Sequence, residues 1–291
     1  MALSSPGLVL SVPALFGFIK PQLDLLRRLG ATDFSAEDPG LKTKPGTTVK
    51  YPLSAVSEAL AFDEDTNNYL TGGDTQYGQL TATHFLQGYD MKGVDIDKGE
   101  NAARIKQLFS MRCATGLSMA IQKTIRTALD GTTASSAVKI VANPDLAAYD
   151  ALAADVTWLD KTNAALVVNG AEAAKIRAAL HAKNLSASKE SVVGETGFRD
   201  FIVAPGMTAR AVIVPTSSIG FMGGVPEILA DYKEVGTETD PDSGLSIGIV
   251  VANDQAVNRI VVNGDLWFGA CTLSANAGAT TAGIIKVGTA E

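Results

Sequence analysis

The chain has 291 residues, of which 46% are hydrophobic and 19% are charged. Such a length permits one large domain or two ordinary ones, and the hydrophobic content excludes a chain that is disordered throughout. The 24 basic and 31 acidic residues give a net charge of -7 without a block of like charges, so the electrostatic footprint of a nucleic-acid-binding protein is missing.

The chain begins with a hydrophobic segment that is predicted to form an arm over residues 1–37. Its apolar run 8–19 resembles part of a signal peptide, but no basic residue precedes it and no small-residue cleavage site follows it. No apolar stretch reaches the roughly 18 residues of a membrane-spanning helix, which predicts a soluble intracellular chain. A short amphipathic turn or two is predicted to end at Gly30. Leu25 and Leu26 in that stretch are expected to be exposed and to need a neighbouring surface.

Two strand-like runs follow a linker rich in proline and glycine, at 47–53 and 79–90. Both alternate polar with apolar residues, which predicts a long antiparallel hairpin within an extended loop of residues 38–98. The polar residues 63–77, with two consecutive glycines, would form its tip. Because a two-stranded hairpin alone is marginal in water, this one is predicted to lie on another surface.

The strongest periodic segment is a predicted helix at 100–130, which Gly131 would end. At 1.5 Å per residue it would be roughly 45 Å long. Its apolar residues recur mostly at spacings of three, four or eight: Ile105, Leu108, Phe109, Leu117, Ile121, Ile125 and Leu129. Its basic flank consists of Arg104, Lys106, Arg112, Lys123 and Arg126. We interpret this flank as a solvated face, with contact to a neighbour or to nucleic acid as the alternative.

The second half of the chain predicts a mixed α/β layer over residues 143–222, followed by a region that is almost entirely β. Helices are expected at 145–158 and 171–182, and strands at 164–169, 201–203, 211–214, 225–231, 245–251, 259–262 and 266–268. Trp158, Trp267 and Phe268 are predicted to be core residues. The two cysteines, Cys113 and Cys271, are predicted to act as small hydrophobic residues in a reducing compartment, although the sequence leaves a disulfide open.

The sequence contains no catalytic motif with the flanking elements that such a motif requires. The run Gly-Leu-Ser-Ile-Gly at 244–248 matches a nucleophile elbow, but a turn precedes Ser246 and a β-rich run follows it, where a strand and then a helix are required. His84 lies in a strand and His181 on an alanine-rich helix, without a motif around either. The sequence therefore predicts no catalytic residue, and a triad assembled only by the fold stays open.

Ligand sites are equally weak in the sequence. The oxygen-rich segment 63–74 partly matches a calcium loop, but Asn68 stands where glycine is required and Asp74 stands in place of glutamate. A solvated loop is favoured, with a cation held at an interface as the alternative. The scarcity of histidine and cysteine predicts no metal cluster, and no phosphate loop or dinucleotide fingerprint is present, so no cofactor is expected.

The order of these segments resembles that of the major capsid proteins of tailed bacteriophages, whose Hong Kong ninety-seven type fold is shared with encapsulins. The resemblance covers nearly the whole chain and rests on segment order, without a short diagnostic motif. It implies an α+β fold with an extended β-hairpin loop, a long spine helix, a peripheral β-sheet and a mixed α/β axial domain. The implied domains are the N-terminal arm (1–37), the extended loop (38–98), the peripheral domain (99–142 and 223–291, with the spine helix at 100–130) and the axial domain (143–222).

The resemblance implies a structural, non-catalytic coat protein. Such a protein self-assembles into pentamers and hexamers of an icosahedral virion shell, which forms in the host cytoplasm and encloses double-stranded DNA without sequence-specific binding. The implied partners are other copies of the chain, a portal and decoration proteins. Because no long charged helical segment precedes the arm, scaffolding is expected to come from a separate protein or from a removed segment. The residues expected at subunit interfaces are Leu25, Leu26, Tyr51, Tyr69, Tyr77 and Phe85.

Two other functional classes stay open. An encapsulin-like compartment shares the fold and would carry a groove for a cargo peptide, and an enzyme would need a pocket with paired titratable groups. Some relatives crosslink a lysine of the extended loop to an asparagine of a neighbour. Lys50 has no recognisable match to that role, so no crosslink is predicted.

Overall fold

The computed structural model describes residues 12–37, 48–52, 77–92, 102–131, 134–140, 146–152, 160–225, 233–239, 245–254, 259–273 and 284–289. The predicted tip at 63–76 with Tyr69, the strand at 226–231 and the residues around Trp158 lie outside these ranges.

The elements alternate between helices and strands. The helices are α1 (Val12–Leu29), α2 (Phe34–Glu37), α3 (Ala102–Asp130), α4 (Leu146–Ala151), α5 (Gly170–Ala182) and α6 (Lys189–Thr196), with a 3-10 turn at Lys161–Asn163. The first strands are β1 (Thr32–Asp33), β2 (Thr48–Pro52), β3 (Tyr77–Thr81), β4 (Thr83–Lys92), β5 (Ala134–Ile140) and β6 (Ala164–Val168). The remaining strands are β7 (Asp200–Val203), β8 (Ala211–Pro215), β9 (Ile219–Gly224), β10 (Lys233–Thr239), β11 (Ser246–Asp254), β12 (Arg259–Thr272) and β13 (Ile285–Thr289).

Three sheets contain these strands. The largest has the order β1-β9-β12-β11-β10, in which β11 and β9 pair with successive parts of one edge of β12. β4 pairs with the opposite edge of β12. The long strand β12 is therefore the centre of this sheet, antiparallel to β4, β9 and β11. The second sheet has the order β5-β13-β8-β6-β7, and β2 and β3 form a separate two-stranded ribbon.

The helix α3 confirms the strongest prediction from the sequence. Its stripe is buried at Cys113, Ala114, Leu117, Ile121, Ile125 and Leu129. These residues belong to the main core cluster, which also includes Ile19, Leu26 and Leu29 of α1 and residues from both larger sheets. The helix thus packs between α1 and the sheets, and its apolar period is explained by that single buried face.

The five-stranded sheet separates the main cluster from a second one. In β6 all five residues are buried, because both faces of the sheet are covered. Val167 packs into the main cluster, whereas Leu166 and Val168 pack into the second cluster with residues of α4, α5 and α6. Side chains of successive strand residues point to opposite faces, so one continuous apolar run serves two cores.

The N-terminal segment differs from its prediction. The helix α1 runs for 18 residues through Gly17 and Pro21, where the sequence predicted only a turn or two before Gly30. Leu26 is 1% exposed and Leu25 packs against the main cluster, so the expectation that both are uncovered in the single subunit is wrong. The reason is tertiary: α3 supplies the apolar surface that α1 needs.

The hairpin is shorter than predicted. Strand β3 pairs with β2 from Thr48↔Thr81 to Pro52↔Tyr77, and the chain then changes partner at Ala82. From Thr83 onward β4 pairs with β12, so a single hairpin strand over 79–90 is wrong. Edge pairing with the long strand β12 satisfies more backbone groups than a free two-stranded ribbon would.

Several short elements were not predicted from the sequence: β1, α2, β5, α6, β9, β10 and β13. Their polar or glycine-rich runs lack a periodic apolar pattern, and α6 is set by its caps instead. Ser188 accepts a hydrogen bond from the Ser191 N–H, and Gly197 ends the helix at φ 73°. β5 and β13 lie in the sheet of β6 to β8, whereas β9 lies in the sheet of β12. The domain boundaries inferred from the sequence stay a prediction.

Candidate assembly surfaces

Two of the residues expected at interfaces are covered by their own chain. Leu26 is 1% exposed. Tyr51 is 5% exposed, its ring stacks on Phe34 with centroids 5.5 Å apart, and its hydroxyl donates to the Thr272 carbonyl at 2.9 Å. Burial raises the pKa of the Tyr51 hydroxyl. Both side chains therefore stabilise the subunit and present little surface to a neighbour.

The other residues of that set have different positions. Leu25 and Phe85 are partly buried against the main cluster. Tyr77 begins β3 in the ribbon, and Tyr69 lies outside the described residues. Their role at an interface stays a prediction.

The β2–β3 ribbon lies across the back of the largest sheet, as the sequence predicted that it would lie on some surface. Leu80 of β3 and Ala82, which follows that strand, pack with Tyr51, Met222 and Trp267 in a small third cluster. A Cβ atom at Gly269 would come within 2.6 Å of the Thr81 carbonyl oxygen and 3.0 Å of the Ala82 Cα. The ribbon can approach β12 only because this position is glycine.

The opposite face of α3 forms a second surface, which we call the α3 outer face. It is defined by five exposed residues: Met111, Arg112, Thr115, Met119 and Lys123. Among the described residues the exposed large apolar side chains are Leu86, Met111 and Met119, at 55%, 41% and 62%, and two of these three lie on this face. The basic residues belong to the flank predicted from the sequence, whereas the exposed methionines were not predicted. Their spacing of eight, out of phase with the stripe through Leu117, is the signal that would have found them.

The segment of α3 is mainly basic, whereas residues 53–76 are acidic. The segment of α3 contains five basic residues and one acidic one: Arg104, Lys106, Arg112, Lys123, Arg126 and Asp130. Residues 53–76 between β2 and β3 contain no lysine or arginine and five acidic residues: Glu58, Asp63, Glu64, Asp65 and Asp74. The two segments therefore have complementary charge in a chain whose net charge is -7.

An ion pair between the partly exposed Arg28 and the buried Asp200 joins α1 to the five-stranded sheet. The Arg28 guanidinium donates Nε to Asp200 Oδ2 at 2.8 Å and Nη2 to Asp200 Oδ1 at 3.0 Å, and Lys189 Nζ lies 2.8 Å from Oδ1. Arg199 donates Nη2 to the Arg28 carbonyl at 2.8 Å. Burial acts to raise the pKa of Asp200, but the hydrogen bonds from Arg28 and Lys189 outweigh it, so the pKa lies below its usual value. This network orients the N-terminal helix, and no motif in the sequence predicted these contacts.

The described residues bring no catalytic triad together. His84 Nε2 lies 2.5 Å from Asp265 Oδ1, whereas Ser246 Oγ lies 2.7 Å from Thr239 Oγ1. His181 is exposed on α5. Burial raises the pKa of Asp265, which fits a carboxyl held within a sheet.

Other expected sites are described in part. Among the described residues no group of three or more metal-ligating side chains comes together. No described helix combines the length and the apolar character needed to span a membrane. Cys113 and Cys271 are free thiols, and burial raises the pKa of both.

Comparison with known proteins gives similarity in structure only. No protein family matches the sequence, and no curated protein matches it. The capsid of an empty GTA particle matches with a TM-score of 0.57 and 11% identity, over 100% of this chain and 94% of that chain. A structure from Mycobacterium phage Che8 matches with a TM-score of 0.49 and 12% identity over 89% of each chain. A virus-like particle from Pyrococcus furiosus matches with a TM-score of 0.49 and 11% identity, over 94% of this chain and 95% of that chain.

The match to the GTA capsid extends over the whole chain, so it concerns the complete arrangement of helices and sheets. It agrees with the α+β fold that the order of segments implied, with a long helix packed between α1 and the sheets and a β-ribbon beside the largest sheet. The chain therefore has the Hong Kong ninety-seven type fold of tailed-bacteriophage major capsid proteins.

Proposed function

We propose that the chain is a major capsid protein, a structural and non-catalytic subunit that assembles into pentamers and hexamers of an icosahedral virion shell around double-stranded DNA. The observation that carries this proposal is the similarity in fold to the GTA capsid over the whole chain. The net charge of -7 supports a shell that encloses DNA without gripping it. Assembly would take place in the host cytoplasm, with a separate scaffolding protein, a portal and decoration proteins as partners.

The contacts proposed between subunits use the complementary segments. The acidic residues 53–76 of one copy would lie on the α3 outer face of a second copy, where Arg112 and Lys123 offer charge and Met111 and Met119 offer adaptable apolar area. The partly buried residues Leu25 and Phe85, together with Tyr69 and Tyr77, stay in the proposed contact set.

Electron microscopy of the purified, concentrated chain tests the proposal directly. Closed shells of uniform diameter with rings of five and six subunits are expected. A protein that stays monomeric with and without its scaffolding partner would contradict the capsid assignment.

A charge swap tests the contact separately. Arg112→Glu with Lys123→Glu should abolish shells. The free energy of unfolding of the monomer should stay within about 0.5 kcal/mol of wild type, because both side chains are exposed. Adding Asp63→Lys and Glu64→Lys to the same chain should restore shells, since opposite charges then face each other again. Normal assembly of the first variant would exclude the α3 outer face as a contact.

One observation favours a second candidate, the encapsulin-like compartment. A crevice of about 170 Å³ lies between α1, α3 and the ends of β6 and β7. It is lined by Leu25, Leu29, Ile125, Leu129, Val167 and Ile202, with Arg28 and Arg126 among its polar residues. Such a crevice has room for an aliphatic side chain of a cargo peptide. Shells that retain a co-expressed host enzyme and contain no DNA would favour this candidate, whereas shells filled with DNA would favour the capsid.

A further inference from the structure

The last described strand, β13, lies inside the five-stranded sheet, between β5 and β8. It runs antiparallel to β8, with Ile285 opposite Ile213 and Val287 opposite Ala211. On its other side it runs parallel to β5. The strands that precede β13 in the chain therefore have to leave an inner slot open for it.

Four consecutive residues fill this slot. Ile284 is fully buried in the main cluster, and Ile285 and Val287 are 2% and 4% exposed in the second cluster. Between them Lys286 donates Nζ to the carbonyl of Asp130, the last residue of α3, at 3.0 Å. That hydrogen bond satisfies one of the carbonyl groups that a helix leaves open at its C-terminus. The strand therefore joins both cores and the end of α3.

The strand β5 depends on β13. Among the described strands, β5 has one ladder, the parallel one with β13. By contrast β6 pairs with both β7 and β8, and these three strands come from the contiguous residues 164–215. These three strands can form early because their contacts are local, whereas β5 and β13 must close a loop over most of the second half of the chain. Without β13, β5 would lose its backbone partner and the edge of β8 would be open.

We propose that the slot between β5 and β8 is a binding site for one β-strand and that β13 is a separable closing strand, which enters after β6, β7 and β8 have folded. The slot selects the pattern Ile-Ile-Lys-Val at 284–287, three apolar side chains around one lysine. Because β13 follows the other described strands in the chain, this sheet can close only after those strands have been synthesised. The expectation that shell assembly waits until this sheet has closed rests on the proposed function. The binding of β13 in the slot does not depend on the proposed function.

The test uses the full chain with a protease recognition sequence inserted between Gly278 and Ala279, cleaved after folding and studied as unassembled subunits. The fragment that carries β13 should stay bound through gel filtration and should exchange saturably with a labelled peptide of residues 284–291. A peptide with Ile285→Asp and Val287→Asp should compete about tenfold more weakly or worse, because it would bury two carboxylates. The matched control, Ile285→Val with Val287→Ile, should compete nearly as well as the natural peptide.

In this cleavage experiment two results would overturn the proposal. One is release of the β13 fragment while the remaining chain keeps its circular dichroism and thermal midpoint, and the other is equal competition by the aspartate peptide. Hydrogen exchange of the uncleaved Val287→Asp chain gives a second readout. Amides of β5 should exchange much faster than in wild type while those of β6 stay protected. Unchanged protection in β5, or equal loss in β5 and β6, would contradict a separable strand. Shell formation is scored separately, so failure of assembly with normal strand binding would count against the proposed function alone.

Discussion

Leu117 illustrates how single side chains in α3 stabilise the fold. It is 1% exposed at the middle of the stripe that packs into the main cluster. Two residues further on, Met119 is 62% exposed on the α3 outer face. The same helix therefore offers a buried and an exposed apolar residue for a direct comparison.

Truncation of Leu117 should destabilise the subunit strongly. Leu117→Ala is expected to lower the free energy of unfolding by about 2 to 5 kcal/mol, because it removes buried methyl groups and leaves a cavity. Urea denaturation followed by tryptophan fluorescence measures the loss. The control Met119→Ala should change the stability by no more than about 0.5 kcal/mol. Equal effects of the two substitutions would contradict the packing of α3.

Asp200 should make stability depend on pH in the acid range. Because its pKa is lower in the folded state than the ordinary value near 3.9, the unfolded chain takes up the proton first as the pH falls. The stabilisation is complete above about pH 4 and is lost as the pH falls through the folded pKa. Asp200→Asn should flatten the decline in unfolding free energy below pH 4 and lower stability at pH 7 by about 1 to 3 kcal/mol, since Arg28 and Lys189 are partly exposed.

The control for loss of this ion pair is Asp150, which pairs with Lys161 and whose side chain is 56% exposed, against 8% for Asp200. Water screens a carboxylate in that position, so Asp150→Asn should lower the free energy of unfolding at pH 7 by less than about 1 kcal/mol. An equally steep slope in wild type and Asp200→Asn would show that the ion pair with Arg28 does not stabilise the fold.

At the scale of elements, the attachment of the β2–β3 ribbon depends on the close approach at Gly269. The atoms that a Cβ would meet belong to the backbone of Thr81 and Ala82 and cannot rotate away. The ribbon or β12 would therefore have to move to admit a side chain. The small third cluster around Trp267 would open with it.

Gly269→Ala should detach the ribbon. We expect a loss of about 1 to 3 kcal/mol from overpacking, and faster hydrogen exchange in residues 77–81 than in β11. Gly194→Ala in α6 is a matched control, because no atom lies within 4 Å of its Cβ position and alanine favours the helix, so stability should rise slightly. Unchanged exchange in β3 after Gly269→Ala would show that the ribbon is held by other contacts.

At the scale of the whole molecule, folding and assembly should be separable at the α3 outer face. Met119→Asp places a charge where the subunit has no core, so the monomer should unfold as wild type does within about 0.5 kcal/mol. Shells should nevertheless fail to form, because a buried carboxylate at an interface is costly without a partner. Sedimentation velocity measures assembly, and Met119→Leu should assemble normally. Shells from Met119→Asp would show that this face is not a contact.

Local patterns in the sequence determined the elements whose stability is local. The helix α3 could be predicted from its helical apolar period, and the strands β6, β8 and β11 from their short runs rich in apolar, β-branched residues. The order of these segments also implied the fold, which the structural comparison confirms.

Tertiary contacts decided what no local pattern could show. Leu26 is buried because α3 covers it, the strand 77–92 changes partner at Ala82 because β12 offers a ladder, and Arg28 meets Asp200 across 172 positions of sequence. Each of these contacts joins residues that lie far apart in the chain, and whether a given surface stays exposed depends on the partner that reaches it. The sequence by itself therefore determined the type and order of those elements that have an apolar pattern of their own, whereas the short elements, burial, strand partners and the α3 outer face were decided by three-dimensional packing.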